Sequence, residues 1–195
     1  MAGYFHYPLI LFKQLFRFGK DKTLCFADTG WKLTLPKKFE ILSEKQIAKR
    51  SKKTEKVLDM ILERKVQYPK RHLFFTAHYQ VRNTISCSIA KLNELPEHEW
   101  KDQNDDLFNN LQKLYQYRYR QFAHVTIHTE SGVRQKDNII FATREIFAAT
   151  PTRELYRARL YSTVYKNFGI LVTMAFADEK IGEEMLDILR SSTFE

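Results

Sequence analysis

Residues 157–195, RARLYSTVYKNFGILVTMAFADEKIGEEMLDILRSSTFE, decide the fold, because they encode two long strands, the turn between them, a helix and a stop. Tyr156, Ala158, Leu160, Ser162 and Val164 alternate with Leu155, Arg157, Arg159, Tyr161, Thr163 and Tyr165. Successive side chains of a strand point to opposite faces, so the long aromatic and arginine side chains are expected to share one face. Asn167-Phe168-Gly169 supplies turn chemistry, since Asn and Gly tolerate positive φ. The stretch 170–176 is then almost continuously apolar, as a strand covered on both faces requires. Asp178 stands where a helix N-cap accepts from backbone N–H groups, Glu179 places negative charge at the positive end of the dipole, and Ile181, Met185, Ile188 and Leu189 recur at helical spacing. Gly182 costs that helix about 1 kcal/mol relative to Ala, which points to close approach to the sheet or to a late helix start.

Upstream, alternating segments at 23–28 and 31–35 flank Thr29-Gly30 and read as an opening hairpin that Pro36 ends by removing a ladder donor. Residues 39–42 follow. Ser43 with Gln46 three residues on then forms a capping box, and Ile47, Val57, Leu58, Ile61, Leu62 and Val66 carry the helical period, as one long helix or two short ones, up to Pro69. The stretches 72–80 and 84–91 form a second hairpin about Arg82-Asn83. A polar loop holding Pro96 and Trp100 leads to a helix expected from Asp102, with Leu107, Leu111, Leu114 and Tyr115 as its buried stripe. Strands follow at 123–130 and 138–148, with turns at Ser131-Gly132 and around Pro151. With 195 residues, 44% of them hydrophobic, and no Pro/Gly/Ser-rich linker, the chain reads as an aromatic N-terminal segment over 1–22 followed by one α+β domain over 23–195.

The element order, together with ADTGWKLTLPKKFEIL over 27–42 and the ending GILVTMAFADEKIGEEMLDILRSSTF, resembles the PsbP-like superfamily. That group takes in the PsbP subunit of photosystem II, the Ran-binding Mog protein and the bacterial DcrB-like proteins. The resemblance implies a twisted antiparallel sheet flanked by helices in an α/β/α sandwich. It also implies a binding or assembly role with no shared catalytic constellation, hence a non-enzymatic adaptor with a protein partner.

Charge suggests where such a partner could bind. The formal net charge is +9, which favours nucleic acid, acidic protein or a lipid surface, although the plainer reading is that it only keeps the chain soluble. Lys45, Lys49, Arg50, Lys52, Lys53 and Lys56 concentrate on the first helix, followed by Arg64, Lys65, Lys70 and Arg71. They could track phosphates, but aromatic stacking groups are absent between Phe39 and Tyr68. Arg157, Arg159, Tyr161 and Tyr165 could line a groove for an acidic or aromatic ligand, since Arg binds carboxylates in bidentate fashion and Tyr is a rigid amphipathic surface. Their plainer role is to lie over a helix.

Tyr4, Phe5, Leu9, Ile10, Phe12, Leu15, Phe16 and Phe18, with cations between them, suit either a surface anchor or a cover for the sheet. That start lacks a basic n-region before a long apolar core and a small-residue cleavage site. Without a run of about 20 apolar residues for a membrane span, the expectation is a cytoplasmic location. Cys25 and Cys87 fall in predicted strands and read as small buried hydrophobes.

Catalytic signals are weak. His124 and His128, with His72 and His78 on a neighbouring strand, make the histidine-bearing sheet face a candidate for metal or hydrolytic chemistry. Four residues of strand nevertheless rise about 13 Å, too far for both His124 and His128 to reach one ion. Ser88 and Lys91 have S-x-x-K spacing on a strand end, where the lysine cannot lie over the serine. No Gly-rich phosphate loop, H-E-x-x-H or C-x-x-C motif calls for a metal or cofactor.

Overall fold

The computed structural model describes residues 21–62, 72–80, 82–93, 95–136 and 138–194. Twelve elements follow one another: β1 (Lys22–Phe26), β2 (Trp31–Leu35), β3 (Glu40–Ile41), α1 (Glu44–Leu62), β4 (His72–Tyr79), β5 (Asn83–Lys91), α2 (Glu97–Tyr119), β6 (Thr126–Lys136), β7 (Ile139–Ala149), β8 (Glu154–Tyr165), β9 (Phe168–Phe176) and α3 (Glu179–Arg190). Seven strands form one antiparallel sheet in the order β3-β4-β5-β9-β8-β7-β6, while β1 and β2 form a separate two-stranded sheet.

The apolar run at 170–176 has its explanation in that order, because β9 is the central strand. Ile170, Val172, Met174 and Phe176 enter a core with α3 and the β1–β2 hairpin, including Leu24, Trp31, Met185 and Leu189. Leu171 on the opposite face joins Ile146, Ala158 and Leu160 beneath Trp100, Phe108 and Tyr115 of α2. The fold is therefore α+β, with helices over both faces of an antiparallel sheet and the opening hairpin sharing the α3 layer. Packed beside α2, α1 fully buries Leu58 alone.

Local chemistry explains the helix starts. The Ser43 hydroxyl accepts weakly from Gln46 N (3.4 Å), while Gln46 Oε1 accepts from Ser43 N (2.7 Å). Asp178 Oδ1 accepts from Lys180 N (2.8 Å) and Ile181 N (3.3 Å). Both caps stand where the sequence places them.

Several turns and ends differ from expectation. The reversal into β9 uses Lys166 and Asn167, both at positive φ (45° and 63°), between the paired residues Tyr165 and Phe168. Gly169 lies within β9, where a Cβ would stand 2.5 Å from the Trp100 indole. Accordingly Trp100 is not a loop residue: α2 begins at Glu97, and its first turn seats the indole against the sheet. The α2 stripe runs through Trp100, Asn104, Phe108 and Tyr115, leaving Leu107, Leu111 and Leu114 half-buried.

Ser131-Gly132 makes no turn. These residues pair with Arg144 and Thr143 inside an unbroken β6, and the chain reverses between Lys136 and Ile139. A strand read as 123–130 thus becomes an eleven-residue edge, with Ala123 and His124 outside it. Asn83 likewise belongs to β5; its buried side chain accepts from Ala177 N (3.2 Å), while Gln80, at φ 56°, is in the turn before it. Lys22 is the first residue of β1, and the rest of the predicted N-terminal segment, residues 1–20, lies outside the described residues, as do Val66 and Pro69. Cys25 is half-buried rather than buried; Cys87 is buried, which pushes its thiol pKa up.

At Gly182 a Cβ would sit 2.4 Å from the Phe176 ring, so glycine is there for close approach. Gly182→Ala gains about 1 kcal/mol of helix propensity, but overpacking costs about 1–3 kcal/mol. A net loss of stability is expected in chemical denaturation, partly restored by adding Phe176→Leu; a more stable single variant would contradict this packing.

Candidate functional site

Arg157, Arg159, Tyr161 and Tyr165 do share one face of β8, the face that α3 and the hairpin cover. Arg157 holds Glu154 in bidentate fashion (Nε–Oε1 2.9 Å, Nη2–Oε2 2.6 Å) and Glu145 through Nη1 (2.5 Å). Arg159 donates to Glu145 (3.1 Å), Glu183 (3.0 Å) and Glu179 (2.7 Å). Its side chain is 8% exposed, and its guanidinium lies over the Phe176 ring. The hydrogen bond to Glu154 raises the Arg157 pKa against the cost of burial. Burial opposes the Arg159 charge, but Glu145 and Glu183 outweigh it and raise that pKa as well.

The alternation therefore brings the arginines together, but the protein's own carboxylates occupy them. An acidic ligand at this face would have to displace Glu145, Glu154, Glu179 and Glu183. Glu145, Glu179 and Glu183 lie on other elements, so strand periodicity alone gave no sign of them, whereas Glu154 stands three residues before Arg157 on β8 itself. Tyr165 meets Phe194 edge-on (centroids 4.9 Å apart). Tyr161 is 2% exposed, and its hydroxyl has no hydrogen-bond partner. Burial raises its pKa, while Arg134 and Arg159 act in the opposite direction.

The basic helix has the opposite character. Lys45, Lys49, Arg50, Lys52, Lys53 and Lys56 are all exposed on α1. At 3.6 residues per turn, the five lysines fall within an arc of about 100° along about 17 Å of helix, opposite Ile47, Leu58 and Ile61, whereas Arg50 projects from the flank. None of these lysines makes an ion pair among the described residues. Lys45–Lys49, Lys49–Lys53 and Lys52–Lys56 are like-charge pairs at i,i+4, and each costs a few tenths of a kcal/mol, roughly 0.2–0.5. Arg64, Lys65, Lys70 and Arg71 lie outside the described residues.

His78, His124 and His128 do not converge. His78 Nε2 meets Glu40 (3.2 Å), and His128 stacks on Phe147 (centroids 4.9 Å apart). His124 precedes β6, so it shares no strand with His128. Among the described residues, no group of three or more His, Cys, Asp or Glu is placed to hold a metal ion. Ser88 is buried within β5, paired with Leu171 of β9, and Lys91 is three residues further along the same strand. No helix among the described residues is long and apolar enough to cross a membrane.

The described residues include two concavities. A groove of about 620 Å³ runs between the first half of α2 and the sheet, bridged by an Asp105–Arg144 ion pair. A cleft of about 270 Å³ lies between the last turns of α3 and strands β6–β8.

Two substitutions test these electrostatics. Arg159→Ala removes the cation that ties β7 to α3 and is expected to cost about 2 kcal/mol, tempered because Glu145 keeps Arg157. A loss below a few tenths in urea denaturation would show the network contributes nothing. Lys49→Glu converts contacts with Lys45, Lys52 and Lys53 from repulsive to attractive and is expected to stabilise the protein by about 1 kcal/mol; destabilisation would contradict an unpaired ridge.

No family model matches the chain, and no curated protein sequence does. The fold is similar to the solution structure of cyanobacterial PsbP (CyanoP) from Synechocystis sp. PCC 6803, with a TM-score of 0.54 and 8% identity over 92% of this chain and 95% of that one. At that identity the likeness concerns the fold alone: this is a PsbP-like α+β fold.

Proposed function

We propose that this protein is a binding or adaptor protein without catalytic chemistry of its own, which docks on an acidic protein surface through the lysine ridge of α1. The observation that carries the reading is the ridge itself, five exposed lysines on one helical face with no carboxylate partner among the described residues. A chain that neutralises Arg157 and Arg159 internally leaves this face self-repelling, at a cost in helix stability. A partner that supplies carboxylates would relieve that repulsion.

No aromatic side chain stands on α1 to stack bases, which weighs against single-stranded nucleic acid as the partner. Met60 is the exposed large apolar group on the described helix, too little to insert into lipid. The proposal also includes a reducing, cytoplasmic setting, supported by the unbridged Cys25 and Cys87.

Binding of the full chain to polyglutamate, followed by titration calorimetry at rising salt, tests the reading. Affinity is expected to fall steeply with salt. The variant with Lys45, Lys49, Lys52, Lys53 and Lys56 all changed to Gln should lose most of it while unfolding at an unchanged or higher temperature. Equal affinity of that variant would overturn the proposal. Tighter binding of duplex oligonucleotide or anionic vesicles than of polyglutamate would move the partner to those classes.

A further inference from the structure

The cleft between α3 and the β6–β8 edge of the sheet has the composition of a small-molecule site. Phe141, Leu186 and Leu189 give it apolar walls, and Arg134, Lys136 and Arg190 line it as well; among the described residues no carboxylate does. Tyr161, 2% exposed, also lines it, with a hydroxyl buried and without a hydrogen-bond partner. A buried hydroxyl in that state is costly, and native structures rarely leave one orphaned.

The charges around it are unequal. Arg190 is engaged by Asp187 (3.0 Å) and Glu183 (3.5 Å). Arg134, on exposed β6, makes no ion pair among the described residues. Its charge favours ionisation of the Tyr161 hydroxyl, an effect second only to burial. The carboxylates that act on Tyr161 from the other side, Glu145 and Glu183, are both held by Arg159 and do not line the cleft.

We propose that this cleft binds a small molecule with an apolar body and a single carboxylate, its head held by the Arg134 guanidinium and the Tyr161 hydroxyl and its body seated on Phe141, Leu186 and Leu189. The planar Arg fork supplies two donors to a carboxylate and the tyrosine supplies a third, which suits one singly charged head. The volume limits the body to a single aromatic ring or a short alkyl chain. The lysine ridge of α1 is not part of this site, so the two readings stand or fall separately.

Titration calorimetry of the full chain with phenylacetate and hexanoate, and with the neutral isostere phenylacetamide, tests the proposal. Both carboxylates are expected to bind and the amide to bind at least tenfold more weakly. Arg134→Gln, a surface change, and Tyr161→Phe, a core change, are each expected to weaken phenylacetate about tenfold. Ligand-free Tyr161→Phe should melt no lower than the parent, because it deletes an orphaned hydroxyl. The proposal is overturned if neither carboxylate binds, if phenylacetamide binds equally well, if Arg134→Gln leaves affinity unchanged, or if Tyr161→Phe melts lower, since the hydroxyl would then already have a partner.

Discussion

The two ends of the described chain hold each other. Phe194 stacks flat on Trp31 (centroids 5.5 Å apart, planes 8° apart), while Lys32 and Thr193 exchange two backbone hydrogen bonds of 2.8 Å. The β1–β2 hairpin has no strand partner in the large sheet and, as an isolated two-stranded ribbon, would be marginal in water. This contact and the burial of Leu24, Phe26, Trp31, Leu33 and Leu35 against the sheet and α3 fix it in place. One face of the sheet is thus sealed only when the last residues have arrived. The core is correspondingly non-local, and contacts of that kind are slow to form.

Once sealed, that face determines which charges remain available. Arg159 lies beneath α3 and is matched by carboxylates from β7 and from the first turns of that helix. Its role is to dock α3 over the sheet. Toward the β6 edge, α3 stops at Arg190 and the layer ends, leaving the cleft beside Tyr161. The α1 lysines lie outside this arrangement, on a helix that contributes little to either core. Arg159 serves inside the fold and the α1 lysines outside it, in keeping with the planar, weakly hydrated guanidinium and the strongly hydrated ammonium.

Much of this is legible in the sequence wherever the cause is local. The alternation at 155–165, the continuous apolar run at 170–176, and the Ser43 and Asp178 caps each depend on residues a few positions apart. All of them appear as the sequence implies. The Gly182 penalty left close approach and a late helix start both open, and the Phe176 ring decides for close approach. Non-local causes were hidden. Gly169 reads as a turn glycine until Trp100, far earlier in the chain, is seen against it. Ser131-Gly132 has turn composition, yet the register imposed by β7 carries the strand straight through. The Arg/Tyr face was legible as a face, but not that Glu145, Glu179 and Glu183, from other elements, would occupy its arginines. An orphaned hydroxyl such as that of Tyr161 has no sequence signature.

Native-state hydrogen exchange at the Lys32 and Thr193 amides tests most directly whether the contact between the opening hairpin and the residues after α3 closes the fold. If it does, both amides exchange only through global unfolding, with the same opening free energy as Val172 and Met174 in the central strand β9. Exchange of Lys32 and Thr193 by a separate, lower-energy opening, while Val172 and Met174 stay protected, would contradict it.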